Sequence, residues 1–198
     1  MAPRPDVSEE RKNQILDAAT EVFIQKGFDE ARMDDIVDEA GLSKGALYWY
    51  FKSKDEIIIS ILDRIFQREF RQIDALKYAE GSASESILQF IEIGLHDLGS
   101  IFRLMPIIYE FLALAFRNKI VQAVIKRYLN RYLNILTTLI QRGIDSGEFR
   151  QVEAKEVAIA ASAIFEGTLL LWIYDKSRIN PEQHIRSGIK LLLDGIRT

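Results

Sequence analysis

The sequence predicts an all-α protein of about nine helices, and three observations carry that prediction. No run of alternating β-branched residues bounded by turns occurs, apolar residues recur at helical spacing, and the four prolines stand where helices begin or have not begun. Bulk composition agrees: 198 residues, 48% apolar and 28% charged, suit a globular chain with a substantial core. Glu9 and Glu10 after Ser8 favour the positive end of a first helix, which runs to about residue 26. It carries Ile15, Ala19, Val22 and Phe23 on one face, and Gly27 ends it. A second helix over 33–40 buries Ile36, Val37 and Ala40, and a third over 44–50 is capped by Ser43.

Ser53 and Glu56 form a capping box that opens a long fourth helix to about residue 78. The run Glu80-Gly81-Ser82-Ala83-Ser84 is the sharpest break in composition. It divides the chain into a segment 1–54, a linking helix 55–80 and a body 81–198. Ser82 and Glu85 offer another capping box for a fifth helix ending near residue 102, and Pro106 begins a sixth to about residue 117. A seventh spans about 118–146 and stops at Gly147, an eighth covers 154–175, and Asn180-Pro181 opens a ninth reaching nearly to the C-terminus.

Several kinds of chemistry are excluded. There is no cysteine, so disulfides, thiolate metal sites and cysteine nucleophiles are absent. Only two histidines, His96 and His184, are present; His184 reads as a surface residue, and His96 beside Asp97 makes no dyad because adjacent helix residues do not face each other. No nucleophile–base pair, phosphate loop or Glu-x-x-His pair occurs, so catalytic residues, cofactor and metal are all expected to be none. The N-terminus lacks the apolar stretch of a signal peptide, which points to the cytoplasm. The longest apolar run, 157–174, approaches membrane-span length but holds Glu166 near its middle, where a charge costs about 3 kcal/mol. A helix in a protein core or interface, with no membrane partner, is the better reading.

Residues 43–54, Ser-Lys-Gly-Ala-Leu-Tyr-Trp-Tyr-Phe-Lys-Ser-Lys, hold three lysines and no acid in a chain of net charge −3. They follow Ala40-Gly41-Leu42, which reads as the turn of a helix-turn-helix, a motif that lays its second helix in the major groove of DNA. At 100° per residue, Lys44, Gly45, Tyr48 and Trp49 share one arc, while Leu47 and Phe51 share another suited to packing. Exposed Tyr and Trp can meet phosphate, sugar or thymine methyl, Lys44 a guanine edge, and Lys54 a phosphate. One feature opposes this: the first sixty residues hold eight basic against thirteen acidic residues. The acids must then face away from DNA, and non-specific affinity should be modest and salt-sensitive.

Gly27-Phe28 and the continuous run 33–54 resemble the tetracycline-repressor (TetR) family, over about residues 11–61. Agreement beyond is in helix count and length, with residues 132–149 also similar to the family's C-terminal domain. The resemblance implies a homodimeric, all-helical regulator, most often a repressor released from a short inverted-repeat operator in double-stranded DNA by a small-molecule effector. By position, Lys44, Gly45, Ala46, Tyr48, Trp49, Tyr50 and Lys54 match its DNA-contacting residues, alongside the cap Ser43. Arg32 and Met33 stand at the start of the second helix, where the family often has Thr or Ser. Arginine cannot accept a capping bond but can neutralise a phosphate, and Asp34 and Asp35 bring acid close to the duplex.

The same resemblance implies a cavity among the fifth to eighth helices and a dimer made by the eighth and ninth. Candidate ligand residues are Phe90, His96, Met105, Tyr109, Phe111, Tyr128, Tyr132, Phe165 and Trp172, a mixture favouring a hydrophobic or aromatic effector. Glu110 and Glu166 either face a cationic or hydrogen-bonding ligand or form an internal salt bridge with Arg103 or Arg131. For the dimer, Ala163 and Gly167 permit close approach of a partner helix, and Ile185, Ile189, Leu192, Leu193 and Ile196 form a stripe with Gly188 beside it. A helical ligand carrier that does not read DNA is the alternative, which the acidic N-terminus favours.

Overall fold

The computed structural model describes residues 7–78, 80–96 and 98–198, apart from some side chains in the first, fourth and sixth helices and at residues 77–78. Among them nine α-helices follow one another with no strand: α1 Val7–Glu30, α2 Met33–Ala40, α3 Lys44–Tyr50, α4 Lys54–Ile73, α5 Ala83–His96, α6 Leu98–Ala115, α7 Lys119–Asp145, α8 Ala154–Tyr174 and α9 Pro181–Asp194. They make two compact units. One comprises residues 1–67 with 99–126, the other 68–98 with 127–198. Most of α6 and the first turns of α7 therefore belong with the N-terminal helices, a division that differs from the composition break at 80–84.

In the first unit the apolar arc of α1 is buried through Ile15, Ala19, Val22 and Phe23, against Ile36 and Ala40 of α2. Val37 is only half-buried. Gly41 takes the left-handed conformation (φ 62°) that ends α2, and the Gln14 side-chain amide donates to the Ala40 carbonyl at 2.8 Å. Helical hydrogen bonding in α1 passes a break at Gly27, whose φ of 74° and ψ of 163° turn the chain. A single further turn follows, closed by the Ala31 N–H on the Gly27 carbonyl at 3.2 Å.

Three helix boundaries differ from the sequence reading. The expected fourth helix gives way to a 3-10 turn over Asp74–Tyr78. The fifth ends at His96 rather than near residue 102, so the sixth starts at Leu98 and holds Pro106 in its interior rather than at its first turn. An interior proline costs a helix about 3 kcal/mol. Burial of Met105, Ile107 and Phe111 on the flanking turns offsets that cost, which local propensity cannot reveal. The Ser82–Glu85 capping box closes in both directions at 3.1 Å. That of Ser53 and Glu56 is half-formed: Ser53 Oγ accepts the Glu56 N–H, but the Glu56 carboxylate accepts from Lys52 N–H at 2.6 Å.

In the second unit, Phe149 lies beneath α7, where a Cβ on Gly143 would fall 2.3 Å from its ring. The C-terminal residues pair back here, Arg150 N–H donating to the Ile196 carbonyl at 2.8 Å. Glu148 caps α5, accepting from the N–H groups of Ala83 (2.7 Å) and Ser84 (3.0 Å). Burial pushes the Glu148 carboxyl up, but the bonds from Ser84 and Ala83 and the charge of Arg197 outweigh it and leave it below the usual range. A depressed carboxylate contributes stability above its unfolded pKa of about 4.3, and that stability is lost as pH falls through the folded value. Glu148→Gln should therefore flatten the decline of thermal stability with acidification below about pH 5. Parallel melting curves for wild type and variant from pH 7 to 3 would contradict this.

Candidate nucleic-acid interface

The recognition edge is built by α3 on a buried backing. Leu47 and Phe51 are enclosed, and Ser43 Oγ accepts the Ala46 N–H at 3.2 Å as the helix cap. That fixes the opposite face outward. Trp49 is 79% exposed, Lys44 and Gly45 are exposed with Ser43, and Ala46, Tyr48 and Tyr50 are half-buried. A Cβ on Gly45 would meet nothing within 4 Å, so this point of the helix is open to close approach by another body.

Arg32 and Met33 begin α2 beside this edge; Arg32 is exposed and makes no side-chain cap. The cap comes from Asp35, which accepts the Arg32 N–H at 2.8 Å and pairs with Lys26 at 2.8 Å. The Lys26 bond first, then that N–H, holds Asp35 below the usual carboxylate range. An open recess lies here, lined in part by Arg32, Met33, Asp34, Tyr48 and Lys54. In the free protein Lys54 donates to the carbonyls of Phe28 and Ala31, each at 2.6 Å, and of Asp29 at 3.3 Å.

Asp34, which the sequence sets close to the duplex, proves to be the partner of Lys44. Its carboxylate lies 2.7 Å from the Lys44 ammonium and holds that lysine above its ordinary pKa. The spacing between positions 34 and 44 carries no signal of this in sequence; only the turn between α2 and α3 creates it. Asp34→Ala is expected to raise affinity for random-sequence duplex severalfold and to steepen its salt dependence by about one unit, because one more lysine becomes available to phosphate. Binding isotherms at several salt concentrations check this, and an unchanged slope would count against it.

The expected ligand residues divide between the units. In the second, Phe90, Tyr128 and Tyr132 come together around Phe70, which the sequence reading overlooked. Phe70 stacks on Tyr128 at 5.8 Å and meets Tyr132 at 4.6 Å, and Phe90 meets Tyr132 edge-on at 6.1 Å. Arg131 lies over the Phe70 ring at 4.1 Å and pairs with Asp74. Phe165 packs on Gly94, while Trp172 is half-buried under Lys176 at 4.8 Å.

Met105, Tyr109, Glu110 and Phe111 lie in the first unit. Met105 and Phe111 are buried and Tyr109 is half-buried.

Three expectations are corrected. His96 and Glu166 are exposed rather than set in an apolar interior, because each falls on the outer face of its helix. Glu110 takes a partner the sequence did not suggest: its carboxylate accepts the Phe28 N–H at 2.8 Å. Asp97 and the Arg103 side chain lie outside the described residues.

The dimer expectation is half-corrected. Ile185, Ile189, Leu193 and Ile196 are buried within the subunit, and Gly188 admits Ile164 of α8. Only Leu192, half-buried, and Leu191, 73% exposed, keep apolar surface on α9. An amphipathic stripe is used first by the subunit's own α8–α9 packing, which periodicity cannot tell from contact with a partner. Ala163 remains exposed, and Gly167 has nothing within 4 Å of a Cβ position.

A capped second helix facing outward from a helix-turn-helix is the arrangement by which such motifs read DNA. Family comparison agrees: residues 15–61 match the model of bacterial regulatory proteins of the tetR family, and 85–194 match the BetI-type transcriptional repressor C-terminal domain. An uncharacterised helix-turn-helix regulator of Bacillus subtilis, YfiR, is 32% identical over 155 residues, 75% of each chain. The fatty acid metabolism regulator of the same organism is 28% identical over 192 residues, covering 92% of this chain and 94% of the relative. A crystal structure of B. subtilis FadR with stearoyl-CoA superposes with a TM-score of 0.79 at 26% identity, covering 93% of this chain and 99% of that one. The chain belongs to the TetR family and is a ligand-responsive, DNA-binding transcriptional repressor.

Proposed function

We propose that the chain acts as a cytoplasmic homodimer without enzymatic activity, that it represses from an inverted-repeat operator, and that an effector carrying a long apolar chain, of the acyl-CoA class, releases it. The observation that carries the operator reading is the outward edge of α3, Lys44, Gly45, Tyr48 and Trp49, mounted on buried Leu47 and Phe51. Arg32, Met33, Ser43, Ala46, Tyr50 and Lys54 complete the DNA-contacting set, with Lys54 exchanging its carbonyl partners for phosphate.

Dimerisation is supported by α8. Ile159, Ala163, Leu170 and Tyr174 are exposed along one face, with Gly167 between them. The helix is long and apolar enough to cross a membrane by length and composition, yet it packs on α9, and a second copy would cover what α9 leaves open. Two α3 helices about 34–36 Å apart would then read successive major grooves.

The effector class draws on the relative bound to stearoyl-CoA and on the aromatic cluster of Phe70, Phe90, Tyr128 and Tyr132, with Arg131 beside it. Ligand lowers operator affinity by however much better it binds the DNA-incompatible state.

The test selects a binding site from random duplex with the full-length protein, then adds stearoyl-CoA, free CoA or stearate to the complex. Release by stearoyl-CoA alone, at micromolar concentration, is expected. Indifference to all three would overturn the effector class. Acyl-CoA binding by a protein that retains no duplex would leave a carrier.

A further inference from the structure

We infer that Glu110 of α6 is a positioning residue for DNA reading: it holds the turn that aims α2 and α3, and through it the disposition of α6 is felt at the recognition edge. At Gly27 the backbone reverses, with φ 74° and ψ 163°, and swings the Phe28 N–H off the axis of α1. The acceptor it meets is Glu110 Oε2 at 2.8 Å, from a residue 82 positions away. Residues 27–31 form one turn of helix, and the carboxylate stands at its amino end, where a first-turn N–H has no partner within its own helix.

At the carbonyl end of the same turn stands Lys54 of α4, bonded to the carbonyls of Phe28, Asp29 and Ala31 and seated 4.5 Å over the Phe28 ring. A carboxylate at the amino end and an ammonium at the carboxyl end both complement the turn's dipole. One comes from α6 and the other from α4. Arg117, past the end of α6, adds an ion pair to Asp29 at 2.9 Å.

Glycine at position 27 suits the turn, and a side chain there would press on the carboxylate. Positive φ disfavours any side chain, and a Cβ would lie 2.8 Å from Glu110 Oε1. The turn runs directly into Arg32 and Met33, which begin α2 at the recess beside Tyr48. Any shift of α6 along its axis must stretch the Glu110 bond or carry the turn with it. A carboxylate so placed transmits; it does not contact DNA.

The inference deepens the dimeric reading, and its test separates the two. Specific binding needs both heads aimed at once, whereas non-specific binding is electrostatic and tolerates a loose head. Full-length wild type, Glu110→Ala and Glu110→Gln are compared on the selected site and on random duplex, and the Phe28 amide is followed by NMR in labelled protein. Glu110→Ala should expose that amide to faster exchange and lower specific affinity roughly tenfold, the scale of one hydrogen bond to a charged group, with non-specific affinity within about twofold.

Glu110→Gln keeps an acceptor and should lose only about two- to fivefold, again on the specific site alone. It carries the test if the alanine variant does not fold. Unchanged specific affinity, or specific and non-specific affinity falling together, overturns the inference. If wild type itself gives no specific complex, the operator reading has failed instead.

Discussion

Ala163→Arg is expected to give a folded monomer whose operator affinity is lower by roughly two orders of magnitude. Ala163 is exposed near the middle of α8, on the face that also carries Ile159, Gly167, Leu170 and Tyr174, the last 78% exposed. An arginine at that small residue would hold two such faces apart by its bulk, and taking its charge out of water adds a cost of several kcal/mol. The subunit's own packing is untouched, since Ala158, Ala161 and Leu169 bury the opposite side. Linking two weak sites multiplies affinity by about 10²–10⁴, and separation forfeits that gain. Sedimentation velocity at micromolar protein with a gel shift on the selected site makes the measurement. A variant that keeps dimer mass and wild-type affinity would place the interface elsewhere.

Phe149→Ala should be the most destabilising single substitution among those considered, by about 3–5 kcal/mol for loss of an enclosed phenyl ring. Its ring fills the space a Gly143 side chain would need, with Ala83 Cβ closing the remainder at 2.9 Å. Gly143→Ala alone is overpacked and should cost about 1–3 kcal/mol despite a gain in helix propensity. Combined, the two changes should cost less than their sum by at least about 1 kcal/mol, because the cavity admits the new methyl. Urea unfolding of the four proteins reads this coupling; strict additivity would show that the ring and the glycine do not compete for space.

Much of the first unit was legible in sequence because its signals are local. The Ser43 cap, the Gly41 turn and the opposed arcs of α3 depend on spacings of a few residues, and each stands where expected. Signals failed where tertiary contact outweighed them. Pro106 lies inside a helix held by buried neighbours, and the Ile185–Ile189 stripe serves the subunit's own core. Glu110 illustrates the limit most clearly. An acid in an apolar segment suggested a ligand or an arginine, and the partner is a backbone N–H 82 residues away, exposed by one glycine's reversal. Lys44 was legible as an outward cation, but its pairing with Asp34 requires the angle between two helices that sequence does not state.

The residence of 99–126 with the N-terminal helices bears on how these proteins can be recombined. A chimaera spliced at residue 61, where the match to the family's N-terminal model ends, would leave behind Glu110, Arg117 and Asn118, whose side chain donates to Asp55 at 3.3 Å. Such a graft would inherit the letters of an operator-reading module without the brace that orients it. Transplanting that module to a foreign sensor, or repurposing this one as a biosensor, calls for two cuts rather than one, so that the later segment travels with its head.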